Sequence, residues 1–410
     1  MDRPEGRPLV GLVLAGGGAR GAYEVGVARY LLEELPRELG RDVPIDILCG
    51  TSVGAINACF LAAHADEPRA RASALGVKWR ELEIERILQL SAIEVVGLLR
   101  ELIGARPKPI LGRAPRGGVV DPAGLTSVIA DAIPFERIDE HVRAGKIQAC
   151  SVSTTHVATG RTVVFVDHTP ALSPRWGTHP TMDRCQTKLR IEHALASAAI
   201  PFVFPAVTID SDLYCDGGLR QNVPLSPARR LGADRLIVVN PHFIGANVPP
   251  PEVAKEREQV FPGPAFLVGK ALNALLLDRL DSDVDRLRRI NEILAAGTRE
   301  YGPGFIDSIN RQLGLAPGAG IRALETVVIR ASLDIGRLSG DHVRSPKFQK
   351  RSKGLAGKAL SRLASSEGDE ADFLSYLVFD GDFAAELMDL GAADARAKKD
   401  ELVALFDGCL

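Results

Sequence analysis

The sequence predicts an α/β protein with three layers, in which helices flank a mostly parallel central sheet and further helices follow towards the C-terminus. Short, continuously apolar runs alternate along the first half of the chain with segments of helical periodicity. Continuous apolar runs are typical of strands buried on both faces of a parallel sheet. Apolar residues make up 46% of the 410 residues and charged residues 25%, an ordinary composition for a chain with a large core.

The first elements alternate in the order that a parallel sheet requires. The apolar run 9–15 ends at glycines and predicts a strand, and the segment 22–36 predicts a helix that ends at Pro36. A second strand over 45–49 precedes a second helix over 53–65. Further strands are predicted over 146–154, 162–166, 234–240 and 326–333, and a loop over 168–187.

Composition excludes several classes of protein. The formal net charge of −2 lacks the broad positive charge expected of a nucleic-acid binder. The six cysteines are scattered without a C-x-x-C pair, which argues against a disulfide framework or zinc ribbon and favours a reducing cytosol. No secretory signal or membrane-spanning stretch is visible. We assign Asp281, Asp283 and Asp285 to a solvated helix face, because a calcium loop would need glycine where Arg286 stands.

A glycine cluster lies between the first strand and the first helix. Gly16, Gly18 and Gly21 match the G-x-G-x-x-G pattern of dinucleotide-binding proteins. The next strand, however, ends at Cys49 and Gly50 without the acidic residue that would bind ribose. Consecutive glycines at a helix N-terminus can instead expose backbone N–H groups that stabilise a developing oxyanion. A tight turn without any ligand is the remaining interpretation of this motif by itself.

Residues 50–54 read G-x-S-x-G between a predicted strand and a predicted helix. This context is that of a nucleophile elbow, in which a sharp turn lifts a serine side chain clear of the sheet. Glycines at positions 50 and 54 fit such a turn because a Cβ there would collide with the neighbouring strand and helix. A serine that only caps the following helix is the alternative.

A serine nucleophile needs a base, which is usually histidine. None of the eight histidines shows a signature that places it opposite Ser52, and we expect His193, in a helical stretch of small residues, to be structural. Asp216, which is followed by Gly217 and Gly218, could accept the serine proton directly if a cleft tunes its pKa. Taken alone, Asp-Gly-Gly is a common β-turn.

Together and in this order, the three motifs resemble the patatin-like phospholipase family, which carries G-G-G-x-R-G, then G-x-S-x-G, then D-G-[GA]. The segments 194–207 and 216–239 are also similar to the family's sequence on either side of its catalytic aspartate. The resemblance covers about residues 9–240 and implies a patatin-like α/β/α fold. Ala206 stands where the family often has a second proline, a difference without consequence for the chemistry.

The resemblance also implies roles for individual residues. Ser52 would be the nucleophile and Asp216 the general base of a Ser–Asp dyad without histidine. The oxyanion hole would be formed at Gly16, Gly17 and Gly18. Supporting motif residues would be Arg20, Gly21, Gly50, Gly54, Gly217 and Gly218. Arg20 would either fix the glycine loop or bind a lipid phosphate, and no cofactor or metal is implied.

We therefore expect a catalytic domain over 9–240, a helical extension over 241–338 whose strand could complete the sheet, and a helical C-terminal region over 339–410. The amphipathic segment 79–111 would be a helical insertion that either packs on the core or covers the active site as a lid.

The expected function is hydrolysis of fatty-acyl esters of phospholipids or related lipids through an acyl-enzyme. An acyltransferase or transacylase that uses the same acyl-enzyme, and a catalytically silent lipid-binding protein of the same fold, remain alternatives. The expected partner is a lipid or acyl ester, with transient membrane-surface contact as a hypothesis and no nucleic acid. The expected location is cytoplasmic, with or without peripheral membrane association, and the sequence leaves the oligomeric state open.

Overall fold

A computed structural model of the chain describes residues 7–90, 118, 120–170, 172, 176, 180–243, 280–315, 320–352, 354–363 and 374–407. The strands are β1 (Val10–Leu14), β2 (Ile47–Thr51), β3 (Gln89–Leu90), β4 (Val120–Asp121), β5 (Ala149–His156), β6 (Thr162–His168), β7 (Met182–Gln186), β8 (Val207–Ile209), β9 (Asp212–Asp216), β10 (Arg235–Asn240) and β11 (Glu325–Arg330).

The helices in the first part of the chain are α1 (Gly21–Arg29), α2 (Leu35–Leu39), α3 (Val53–Ala63), α4 (Arg71–Arg80), α5 (Ile84–Ile87), α6 (Ala123–Ala132), α7 (Glu136–Arg143), α8 (Ile191–Ser197) and α9 (Leu225–Arg230). Those that follow are α10 (Leu280–Tyr301), α11 (Phe305–Gln312), α12 (Ile335–Arg344), α13 (Pro346–Arg351), α14 (Leu355–Leu363), α15 (Gly381–Ala397) and α16 (Lys399–Phe406). Short 3-10 turns cover Gly18–Arg20 and Gly217–Leu219, and a π-helical turn over Tyr30–Glu34 joins α1 to α2.

A nine-stranded sheet forms the central layer, in the order β11-β10-β1-β2-β5-β6-β7, with β9 beside β5 and β8 beside β9. The strands from β11 to β5 are all parallel. Antiparallel pairing occurs between β5 and β6, β5 and β9, and β8 and β9. Helices flank this mostly parallel sheet, so the predicted α/β fold class is confirmed.

Successive residues of the central strands pack into two different core layers. Leu12 and Leu48 belong to the larger hydrophobic cluster, whereas Val13 and Ile47 belong to the other. Because side chains alternate across a strand, a strand covered on both faces needs apolar residues at consecutive positions. This is the physical reason for the continuous apolar runs in the sequence.

The helical C-terminal part of the chain packs closely against the first helix. A Cβ at Gly26 of α1 would collide with the carbonyl oxygen of Met388 in α15, and a Cβ at Gly391 would collide with that of Tyr23. Glycines therefore bring the two helix backbones together. β11 likewise pairs in parallel with β10, from Arg235 opposite Glu325 onwards.

Two expectations about individual elements are wrong. The first helical segment does not end at Pro36, which occupies the first turn of α2, where a proline is tolerated. The helix ends at Leu39, and Gly40, with φ 69°, forms its left-handed cap. The predicted loop over 168–187 contains β7, which pairs with β6. As the last strand in the order, β7 exposes several of its side chains, so it has no apolar run to detect.

Several other expectations fall partly or wholly outside the described residues. Of the segment 79–111, residues 79–90 form the end of α4, α5 and β3, and the remainder lies outside. Asp283 and Asp285 are exposed on α10, and the side chain of Asp281 is not described. Among the described residues, no helix is long and apolar enough to cross a membrane. No group of acidic, histidine or cysteine side chains in the same residues could hold a metal ion.

Candidate active site

Ser52 occupies a strained turn between β2 and α3. Its backbone has φ 54° and ψ −127°, a region that residues with a side chain rarely adopt. A Cβ at Gly50 would collide with the backbone of Gly54, and a Cβ at Gly54 would collide with the carbonyl oxygens that end β1. The flanking glycines therefore allow the turn to fit against the neighbouring strand.

Ser52 and Asp216 are in direct contact, although 164 residues separate them in the sequence. The Ser52 hydroxyl donates to Asp216 Oδ2 at 2.7 Å, and the N–H of Gly218 donates to Oδ1 at 2.6 Å. The aspartate backbone is held as well, since its N–H donates to the carbonyl of Ala199 and its carbonyl accepts from Thr155 Oγ1. Asp216 is fully buried, so its carboxylate is oriented by protein groups rather than by water.

Burial raises the pKa of Asp216 from its ordinary value of 3.8 to about 7, although the hydrogen bonds from Ser52 and Gly218 act in the opposite direction. A carboxylate with a pKa near neutrality is a much stronger base than an exposed one, and a large fraction of it is ionised near pH 7. The site therefore pairs a serine hydroxyl with a carboxylate of suitable basicity.

The glycine loop after β1 lies beside the serine. A Cβ built at Gly16 would come within 3.2 Å of Ser52 Cβ. The Gly16 N–H donates to the carbonyl of Asn222 at 3.1 Å, and the Asn222 amide donates back to the Gly16 carbonyl at 3.2 Å. The Gly16 N–H is therefore engaged with Asn222 and is not free to donate to an oxyanion, in contrast to our expectation. The lack of a side chain at Gly16 permits its backbone to lie close to Ser52.

Gly17 and Gly18 remain as candidate donors. Their N–H groups donate to no residue in the described part of the chain, and they stand at the start of the helical turn that leads into α1. Gly18 has φ 55°, a conformation suited to glycine. Free N–H groups at a helix start attract negative charge, so Gly17 and Gly18 stay the candidates for donors to an oxyanion.

Ser197 is a site residue to which the sequence analysis assigned no role. Its hydroxyl accepts the Ser52 N–H at 2.8 Å and donates to the carbonyl of Ser153 at 2.6 Å. This fully buried bridge ties the strained serine backbone to the end of α8 and to β5. Ser197 and Asn222 both lie in the segments 194–207 and 216–239 that resemble the family, and this resemblance is the feature of the sequence that could have identified them as site residues.

None of the described histidines takes part in this arrangement. His193 Nδ1 accepts the N–H of Arg190 at 2.9 Å, and the ring lies against Phe165. Burial lowers the pKa of His193 to about 4, so the ring is neutral at physiological pH. None of the described histidines forms a hydrogen bond with Ser52 or Asp216, and His179 lies outside the described residues.

The supporting glycines and Arg20 lie around these groups. A Cβ at Gly21 would collide with the side chain of Val53, and one at Gly217 with the carbonyl oxygen of Ser153. Arg20 is only 3% exposed. Its Nε donates to Ser375 Oγ at 2.6 Å, so its guanidinium is engaged inside the protein.

An apolar groove is lined by the residue that follows the candidate nucleophile in the chain. Val53, the residue after Ser52, lines it together with side chains of α3, α4 and α6, and its empty volume, counted with its opening, is about 500 Å³. Among the described residues of the lining, Lys78 alone is charged, and its ammonium pairs with Glu81. Such a surface suits a hydrocarbon chain.

The chain is similar in sequence to known phospholipases. The sequence profile of patatin-like phospholipases matches residues 12–229. A cGAMP-activated phospholipase of Pseudomonas aeruginosa is 29% identical over 221 residues, which are 52% of this chain and 53% of the relative. A lysophospholipase of Aspergillus terreus is 43% identical over 77 residues, 17% of this chain and 5% of the relative.

The chain therefore spans about half the length of the first of these relatives and a small part of the second. Among solved structures, the alignment with VipD from Legionella pneumophila covers 95% of this chain and 67% of VipD. The sequence identity is 13% and the TM-score is 0.28. The profile match covers more than half of the chain and includes all three motifs. On these grounds the chain belongs to the patatin-like phospholipase family.

Proposed function

We propose that the protein hydrolyses fatty-acyl esters of phospholipids or related lipids through a Ser52–Asp216 dyad. The contact that carries this proposal is the 2.7 Å hydrogen bond from the Ser52 hydroxyl to the buried Asp216 carboxylate. It supports the proposal because the serine backbone is strained, the base has a pKa near neutrality, and the glycine loop lies beside the serine. Phospholipase and lysophospholipase relatives support the same class of substrate.

In the acylation step, Asp216 accepts the Ser52 proton as Oγ bonds to the ester carbonyl carbon. The carbonyl oxygen becomes an oxyanion, which the N–H groups of Gly17 and Gly18 stabilise. When the tetrahedral intermediate collapses, the C–O bond to the alcohol breaks and the alcohol leaves with the proton from Asp216. The fatty acyl group then remains on the serine as an ester.

In the deacylation step, a water molecule attacks the acyl-enzyme while Asp216 accepts one of its protons. The oxyanion forms in the same loop, the bond between the acyl carbon and Oγ breaks, and Ser52 takes back the proton. The products are a free fatty acid and the unmodified enzyme. The groove that starts at Val53 would hold the acyl chain throughout both steps.

The test is hydrolysis of phospholipid and p-nitrophenyl ester panels by the purified protein and two variants. Ser52→Ala and Asp216→Asn are each expected to lower kcat by at least about a thousandfold. Asp212→Asn is the matched control, because its side chain lies on the same strand but is exposed. Unchanged hydrolysis in Ser52→Ala or Asp216→Asn would contradict the dyad.

The same preparation separates the two alternatives. Transfer of the acyl group to an added alcohol or thiol, in preference to water, would identify a transacylase. Absence of labelling at Ser52 by a fluorophosphonate probe would favour a silent lipid-binding protein.

The proposal extends to the domain organisation and to the membrane. Because β11 pairs with β10, the catalytic unit would extend beyond residue 240 into the C-terminal region. Transient contact with a lipid surface would involve apolar residues of the segment 79–111, of which residues 91–111 lie outside the described part of the chain. Co-sedimentation with phosphatidylcholine vesicles, with the apolar residues of 91–111 replaced by serine, would test this; unchanged binding would count against it.

A further inference from the structure

We propose that residues 374–380, here termed the C-terminal strap, are part of the active site, where they position the glycine loop and form one wall of the acyl groove. The strap lies far beyond the matched residues 12–229. This role of the strap rests on the proposed acyl hydrolysis, and it adds a structural determinant of selectivity for the length of the acyl chain. Three sets of contacts carry the inference.

The first contact joins the strap to the backbone of the glycine loop. The carbonyl of Tyr376 accepts the N–H of Ala19 at 2.9 Å. A Cβ at Gly18 would collide with this same carbonyl oxygen. Gly18 thus needs to be glycine both for its positive φ and for the approach of the strap. The strap therefore fixes the residue that stands between the two candidate oxyanion donors and α1.

The second contact involves Arg20. Its Nε donates to Ser375 Oγ at 2.6 Å, and its guanidinium carbon lies 4.2 Å from the centre of the Tyr376 ring, a cation–π distance. A side chain that is only 3% exposed presents little surface to a lipid phosphate. Of the two roles open for this arginine, the geometry favours fixing the loop, and its partner in doing so is the strap.

The strap is held at its C-terminal end. The buried Asp380 carboxylate accepts the N–H groups of Asp382 and Phe383 at 3.0 and 3.2 Å, which caps α15. It also pairs with His342 and Arg351. Because α15 packs on α1 through close backbone contacts, the strap is tied to the helix that follows the glycine loop.

The third contact brings the strap to the groove. Phe379 lines it and stacks on Trp79, with ring centres 6.4 Å apart and planes at 23°. The Trp79 indole N–H donates to Asn57 at 3.1 Å, which holds the ring in place. Val53 lines the same groove beside the nucleophile. Phe379 is thus a wall residue placed to contact the acyl chain and to limit its size.

The first test measures the ratio of kcat/KM for p-nitrophenyl dodecanoate to that for p-nitrophenyl butanoate. Phe379→Ala opens the groove, and we expect the ratio to rise by about tenfold. Phe305→Ala is the matched control, because Phe305 is also half-buried and stacked on an aromatic ring, that of Tyr301, but does not line the groove. An unchanged ratio in Phe379→Ala, or an equal rise in Phe305→Ala, would overturn the assignment.

The second test concerns the glycine loop. Ser375→Ala removes the acceptor of Arg20, and kcat per site titrated with a fluorophosphonate is expected to fall by about tenfold or more, with little change in KM. Ser375→Thr keeps the hydroxyl and should restore most of kcat. Thr169→Val removes another buried side-chain hydroxyl, which donates to Gln148 at 3.1 Å, and should leave kcat per titrated site unchanged. A Ser375→Ala enzyme with the wild-type kcat per site would contradict the positioning role.

The outcomes separate the strap from the underlying function. If Ser52→Ala hydrolysed esters at the wild-type rate, the proposed function would be overturned, and the role of the strap with it. Hydrolysis that depends on Ser52 but keeps its chain-length ratio in Phe379→Ala would overturn only the strap as a wall of the groove.

Discussion

Replacing the buried base should stabilise the protein while abolishing hydrolysis. Asp216→Asn keeps the shape of the side chain and an oxygen that can accept the Gly218 N–H. It removes a carboxylate whose pKa burial raises from 3.8 to about 7. At about 1.4 kcal/mol per pKa unit, that interval corresponds to about 4 kcal/mol of destabilisation by the ionised group.

The sign of this effect depends on pH. Below about pH 4, Asp216 is protonated in both the folded and the unfolded chain, and it costs no stability. As pH rises towards 7, the unfolded chain releases the proton while the folded protein retains it, so wild-type stability is lost through this interval. Above about pH 7 the group is ionised in both states and the loss is complete.

Urea denaturation of the wild type and of Asp216→Asn would measure the difference. The variant should be more stable by about 4 kcal/mol near pH 8.5 and by about 2 kcal/mol near pH 5. Asp212→Asn, at an exposed position on the same strand, should show neither gain. If Asp216→Asn were less stable than the wild type near pH 8.5, or if the difference did not vary with pH, the buried-base interpretation would be refuted.

Three further predictions follow from contacts in the structure. The kcat/KM for a neutral soluble ester should rise with pH through about 7 and then level off, because Asp216 must be ionised to accept a proton. A flat profile of kcat/KM between about pH 5 and 8 would contradict this. Ser197→Ala removes the hydroxyl that accepts the Ser52 N–H and donates to the Ser153 carbonyl. The free energy of unfolding should therefore fall by about 1–3 kcal/mol and kcat should fall with it, whereas Ser197→Thr should retain most of both. Gly26→Ala would force α1 away from α15 and should cost about 1–3 kcal/mol of stability. Gly304→Ala is the control and should cost little, because a Cβ there meets no neighbouring atom. Equal melting temperatures for the two variants would argue against the close contact between the helices.

The sequence predicted the central strands well because each is covered on both faces. Such burial requires apolar residues at successive positions, which the runs 9–15 and 234–240 display directly. It failed at β7, where polar side chains face outwards and no periodic pattern arises. It also failed at Pro36, since a π-helical turn lets a proline begin a new helical segment without ending the helix.

The candidate site was predicted in part for a similar reason. A strained turn and a close backbone approach restrict the residue type locally, so Gly50, Ser52 and Gly54 form a motif that can be read without coordinates. Hydrogen bonds made by side-chain hydroxyl and amide groups do not restrict the types of the neighbouring residues in this way. Ser197 and Asn222 could each stand in many local sequences, and only their position opposite Ser52 and Gly16 identifies their role.

By itself, the sequence determined the fold class, the family and the candidates for nucleophile and base, because these depend on local patterns of apolar residues and glycines. Only the tertiary structure decided that Asp216 is buried against Ser52, that the Gly16 N–H is engaged, and that residues 374–380 reach the glycine loop. The physical reason is distance along the chain. Ala19 and Tyr376 meet through a backbone hydrogen bond that almost any residue type could make, so no sequence pattern marks it.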